Sequence, residues 1–115
     1  MPESRSFPRS TRLLTPNDFK RVFKKARKLN YREFTVYICR NGMDNPRLGL
    51  AVSKKAAKKA VSRNLIKRVI RESFRLNQVQ LRGWDLVFVA KPPAKDLTSA
   101  QLHHLLLTIW KRIAS

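Results

Sequence analysis

Residues 60–76, AVSRNLIKRVIRESFRL, constrain the fold of this chain more than any other stretch. At 3.6 residues per turn, Leu65, Ile66, Val69, Ile70 and Leu76 share one side. Arg63, Asn64, Lys67, Arg68, Arg71 and Arg75 share the other. The pattern predicts an amphipathic helix over the whole segment. Spacings of four align Arg63, Lys67, Arg71 and Arg75 in one row. Like charges so placed destabilise a helix, and only Glu72 stands near enough to offset them. A helix that keeps such a row faces something negative and multivalent, and a phosphate backbone is the natural candidate. A merely solvated helix face would mix its signs.

The whole chain shares that bias. It carries 26 Lys and Arg against 7 Asp and Glu, a formal charge of +19 over 115 residues. Such an excess opposes compaction by self-repulsion. Hydrophobic residues still make up 43%, too many for a disordered basic tail. The expectation is one folded domain, able to bury roughly two-thirds of its unfolded surface. No apolar run approaches the ~20 residues of a membrane span. The opening MPESRSFPRS lacks the apolar centre of a secretory signal. Cys39 is the single cysteine, which suits a reducing, cytoplasmic setting.

Residues 1–10 are polar with two prolines and read as a flexible arm, which leaves 11–115 as a single basic domain, one that the resemblance given below makes RNA-binding. A helix start follows: Thr15 as cap, Pro16 at the first helical position, Asp18 three residues after the cap. Phe19, Val22, Phe23 and Ala26 mark one face of that helix. The segment FTVYICR alternates as a strand, with Phe34, Val36 and Ile38 on one side and Thr35, Tyr37 and Cys39 on the other. Turn material occupies residues 41–46, and residues 47–53 alternate again. There Leu48, Leu50 and Val52 face the core, opposite Gly49, Ala51 and Ser53. The two strands are expected to form a hairpin with one shallow face, from which Tyr37 stands up. The KKAAKK run of residues 54–59 reads as a short basic linker. After the central helix, residues 85–90 form a continuous apolar run, which predicts a strand buried on both sides and parallel to residues 47–53. A last helix begins near Thr98 or Ser99 and buries Leu102, Leu105, Leu106, Ile109 and Ile113. The sum is an α+β sandwich of helices on a small sheet.

A catalytic site is not visible. His103 and His104 are neighbours on a helix and point apart, without carboxylates or thiols at ligand spacing. Cys39 has no evident base. Asp18, Asp44, Asp85 and Asp96 read as cap and turn residues. Trp84 and Trp110 read as packing residues. Phe19 and Phe23, four apart beside Val22, suit a core more readily than a contact surface. Tyr37 belongs to the less buried side of its strand.

The chain resembles the protein component of bacterial ribonuclease P. That family's central helix carries an R-N-R-x-K-R-x-x-R run, and here it reads Arg63-Asn64-Leu65-Ile66-Lys67-Arg68-Val69-Ile70-Arg71, with Leu65 in place of one arginine. The resemblance extends to Arg12-Leu13, the helix with Asp18-Phe19 and Val22-Phe23, and the strand from Phe34 to Tyr37. It also takes in LGLAVSKK at residues 48–55, residues 86–91 and the final helix. It implies a single-domain α/β sandwich, ordered αβββαβα, of a kind also found in ribosomal proteins, with a left-handed βαβ crossover. General topology rules would have favoured the right hand.

The resemblance implies a non-catalytic subunit of an endoribonuclease that removes the 5′ leader of precursor tRNA. The catalyst is then the large RNA, which works with Mg²⁺ bound mainly by RNA. The protein partners are ribonuclease P RNA and precursor tRNA, with no membrane and no small-molecule cofactor. Arg63, Asn64, Lys67, Arg68 and Arg71, with Lys54 and Lys55, would meet the catalytic RNA. Phe19, Phe23 and Tyr37 would form the leader cleft, where stacking tolerates many sequences. No residue is expected to be catalytic or to hold a metal. The rival reading is a ribosomal-type structural RNA binder. A helix-turn-helix DNA binder fits poorly, because strands intervene between the helices.

Overall fold

The computed structural model describes residues 16–114, with side chains from residue 19 onward. The arm at residues 1–10, Arg12-Leu13, the Thr15 cap and the Asp18 side chain lie outside the described residues. The elements are α1 (Pro16–Lys25), β1 (Arg27–Asn30), β2 (Phe34–Arg40), β3 (Arg47–Ala51), α2 (Ala60–Leu76), β4 (Trp84–Ala90) and α3 (Ser99–Ala114). Two short 3₁₀ turns, Val79–Leu81 and Pro92–Asp96, flank β4. The order is αβββαβα, as the resemblance implies.

The sheet runs β1-β2-β4-β3. β4 is central because its run WDLVFVA is apolar almost throughout and buries both faces. It lies antiparallel to β2, with Tyr37 opposite Val87, and parallel to β3, with Gly49 opposite Val87. The parallel pairing agrees with the sequence expectation; the hairpin does not. β2 and β3 never pair, because β4 takes the place between them. The connection of residues 41–46 spans two interstrand gaps, ~10 Å. Gly42, at φ 69°, turns it where a side chain would be strained. The hairpin that does form joins β1 to β2, with Leu29 opposite Val36. β1 escapes sequence patterning because RKLN offers a single apolar residue to bury. Its cations suit an edge strand, where they discourage further pairing.

α2 and α3 cover one face of the sheet and α1 the other. Phe34, Val36, Ile38, Leu48, Leu86 and Phe88 meet Ile66, Val69, Ile70 and Phe74 of α2, and Leu102, Leu106, Ile109, Trp110 and Ile113 of α3. The buried stripe of α2 differs from the expected one at its end. Leu76 is 68% exposed, while Ser73 and Phe74 are buried in its place. The true stripe follows i, i+3, i+4, i+7 and i+8 from Ile66. α3 opens with a capping box. The Thr98 hydroxyl accepts from the Gln101 amide at 3.1 Å, and the Thr98 amide donates to Gln101 Oε1 at 2.9 Å.

Candidate nucleic-acid interface

α2 projects its cations away from the core. Asn64, Arg68 and Arg71 are exposed; Arg63, Lys67 and Arg75 are half-buried at the edges of the row. Among the described residues, no carboxylate lies within ion-pairing distance of Lys67, Arg68, Arg71 or Arg75. Glu72, expected to offset the row, instead lies 3.6 Å from His103 Nε2 of α3. The first turn of α2 holds no acid, and its N-cap is Lys59. Cations there oppose the helix dipole, so the helix start attracts anions and repels its own neighbours.

The KKAAKK run is a built turn rather than a linker. Ala56 and Ala57 are buried, and both amides donate to the Ser53 carbonyl at 3.1 Å. With the alanines inside, Lys54, Lys55, Lys58 and Lys59 point into solvent. Arg63 locks the turn, its Nη1 donating to the carbonyls of Ala57 at 3.0 Å and Lys58 at 2.8 Å. Part of this guanidinium therefore serves the fold, which distinguishes Arg63 from Arg68 and Arg71. Lys54, Lys55 and Lys58 share a cleft of about 570 Å³ with Lys95 from the turn after β4. Leu65, which replaces a family arginine, is half-buried against the core.

The opposite face of the sheet carries the aromatic residues. Val22 of α1 is fully buried against Val87, with Phe19, Ala26, Tyr37, Cys39 and Val89 packed around them. Phe19 is half-buried, but Phe23 is 47% exposed. The pair is thus divided between packing and surface, and Val22 takes the core position. The Phe23 ring stands edge-on to Tyr37, centroids 4.8 Å apart and planes at 89°. Phe19 and Phe23 are 6.4 Å apart, and Lys28 Nζ lies 5.8 Å from the Tyr37 ring. The same face continues along the register row of Thr35, Val89 and Ala51, all short side chains. Cations, aromatic edges and shallow backbone in one place suit a single strand of nucleic acid.

Asp85 was not legible as a site residue. It is not a turn acid but the second residue of β4, 1% exposed. Arg47 donates to it twice, Nε to Oδ1 at 2.9 Å and Nη2 to Oδ2 at 2.8 Å. Asn41 Nδ2 reaches Oδ1 and Arg21 Nη2 reaches Oδ2, each at 2.9 Å. The available signal was an acid heading an apolar strand in a chain of excess cations. His103 is half-buried and His104 exposed. Trp84 packs beneath Arg40, 4.1 Å from its guanidinium carbon. Among the described residues, no cluster of His, Cys, Asp or Glu is arranged to hold a metal ion.

A sequence profile for Ribonuclease P matches residues 7–114. The Ribonuclease P protein component of Vibrio cholerae is 45% identical over 109 residues, covering 95% of this chain and 92% of that protein. The one from Ectopseudomonas mendocina is 48% identical over 112 residues, 96% of this chain and 84% of that protein. Among solved structures, the RNase P protein of Staphylococcus aureus superposes with a TM-score of 0.82 at 40% identity, covering 89% of this chain and 94% of that one. The Thermotoga maritima protein gives 0.78 at 34% identity, over 89% and 96% respectively.

Proposed function

The chain belongs to the ribonuclease P protein family, a subunit of an endoribonuclease, and on that premise we propose how it serves the enzyme. It binds the catalytic RNA through α2 and the lysine turn. It receives the single-stranded 5′ leader of precursor tRNA on the face bearing Phe19, Phe23 and Tyr37. Family membership favours this over a ribosomal-type structural binder.

The observation that carries the reading is the α2 row. Lys67, Arg68 and Arg71 leave the core without a carboxylate partner among the described residues. Each is free to replace a counterion on a phosphate, and released counterions drive association. Arg63 contributes differently, by holding Lys54, Lys55 and Lys58 in place through the Ala57 and Lys58 carbonyls. On the other side, Phe23 offers a ring edge and face to unpaired bases. Such stacking is worth roughly 1–3 kcal/mol per base and is indifferent to sequence, as varied leaders require.

The resemblance gives the Mg²⁺ of cleavage mainly to the RNA. Asp85 is committed to Arg21, Arg47 and Asn41, and no donor cluster is found among the described residues. The reading follows the resemblance in leaving the ion mainly, and the bond cleavage, to RNA. No helix among the described residues is long and apolar enough to cross a membrane. Cys39 is a free thiol, which supports a cytoplasmic setting.

The test is the salt dependence of binding to ribonuclease P RNA. Arg68→Ala and Arg71→Ala should each weaken binding and flatten the log–log salt slope by about 1. An unchanged slope in both variants would overturn phosphate contact by α2.

A further inference from the structure

Among the described residues, the contacts that hold α1 on the sheet are of two kinds. Val22, fully buried on Val87, is an apolar pin. Phe19 packs beside it, but apolar contact of this kind is not directional and by itself does not fix the roll of the helix. Arg21, the neighbour of Val22 in sequence, supplies a second point by reaching Asp85 at 2.9 Å. Asp85 cannot follow the helix. It is 1% exposed and fixed by two bonds from Arg47 of β3 and one from Asn41 at the end of β2. The carboxylate is thus a rigid post set into three neighbouring strands, and Arg21 is the tie from α1 to it.

Charge supports the same reading. A carboxylate under a nucleic-acid cleft repels phosphate unless it is neutralised. Arg47 and Arg21 both pair with it, so its charge is neutralised. The Arg21 side chain remains 45% exposed, so the tie sits at the rim and not inside the core.

We infer that Asp85 is a positioning residue for the leader cleft: through Arg21 it fixes the roll of α1, and with it the placement of Phe19 and Phe23 against Tyr37. This rests on the reading of those rings as leader contacts. Among the described residues, the ring contacts of Phe23 are with Phe19 on its own helix and Tyr37 on the sheet. Its position therefore follows the helix, and a stacking partner held in place loses less entropy on binding.

The experiment uses the reconstituted holoenzyme and compares affinity for precursor tRNA with affinity for the same tRNA lacking its leader. The variants are Arg21→Met, Arg21→Lys, Lys24→Met, Phe23→Ala and the Arg21→Met/Phe23→Ala double. Lys24 is an exposed cation of the same helix and, among the described residues, Asp85 is bonded by Arg21, Asn41 and Arg47 instead, so Lys24→Met reports charge loss alone. Arg21→Met should lower the leader preference roughly five- to tenfold, a part of what one lost stack costs. Lys24→Met should weaken both substrates alike, and Arg21→Lys should recover much of the preference. The double variant should lose less than the product of the singles, because both act on one ring. Equal effects of Arg21→Met and Lys24→Met, or full additivity with Phe23→Ala, would overturn the positioning role. If Phe23→Ala itself leaves the preference intact, the leader-cleft reading fails and the inference falls with it.

Discussion

Trp110 of α3 donates its indole N–H to the Ser73 hydroxyl of α2 at 2.8 Å, with both residues buried. This bond joins the two covering helices inside the core. Phe74 and Phe88 pack edge-on to the same indole, at centroid distances of 6.2 Å and 5.4 Å. Ser73 is the polar member of an otherwise apolar stripe on α2. Ser73→Ala should therefore cost about 1–3 kcal/mol, since a donor-only indole N–H is left buried without an acceptor. Urea denaturation measures this. An unchanged midpoint would show that the bond contributes nothing net.

The start of α3 depends on the reciprocal bonds between Thr98 and Gln101. Thr98→Ala should destabilise the domain by about 0.5–2 kcal/mol, and Thr98→Ser should restore most of that loss. Thermal unfolding of the three proteins checks it. Equal melting temperatures would mean that the cap is frayed in solution.

The charge of +19 predicts a free protein whose stability depends on anions. Sulfate or phosphate should raise its Tm more than sodium chloride at equal ionic strength. Multivalent anions can bind the native cation rows, whereas chloride mainly screens them. Identical curves for the two salts would reduce the effect to general screening.

Periodicity exposed what repeats and missed what occurs once. The bounds of α2, the inward set Phe34, Val36 and Ile38, and the parallel placement of β3 beside β4 follow from runs of apolar residues at fixed spacing. β1 was not legible, because one buried leucine in four residues makes no period. The false hairpin came from sequence adjacency. The pairing is decided by β4, which lies later in the chain and buries both faces. In sequence Asp85 resembles a turn acid because its partners Arg21, Asn41 and Arg47 are distant along the chain. The lysine turn looks like a linker in sequence because the burial of Ala56 and Ala57 is a tertiary event. The cation row of α2 was legible for the opposite reason. It is local, periodic and unbalanced by acids.

The most direct measurement is cleavage of precursor tRNA by a bacterial ribonuclease P RNA at low Mg²⁺, with RNA alone, protein alone and both together. The account predicts correct 5′ cleavage with both, little with RNA alone, and none with protein alone. Tight RNA binding without any gain in cleavage, or cleavage by the protein alone, would contradict it.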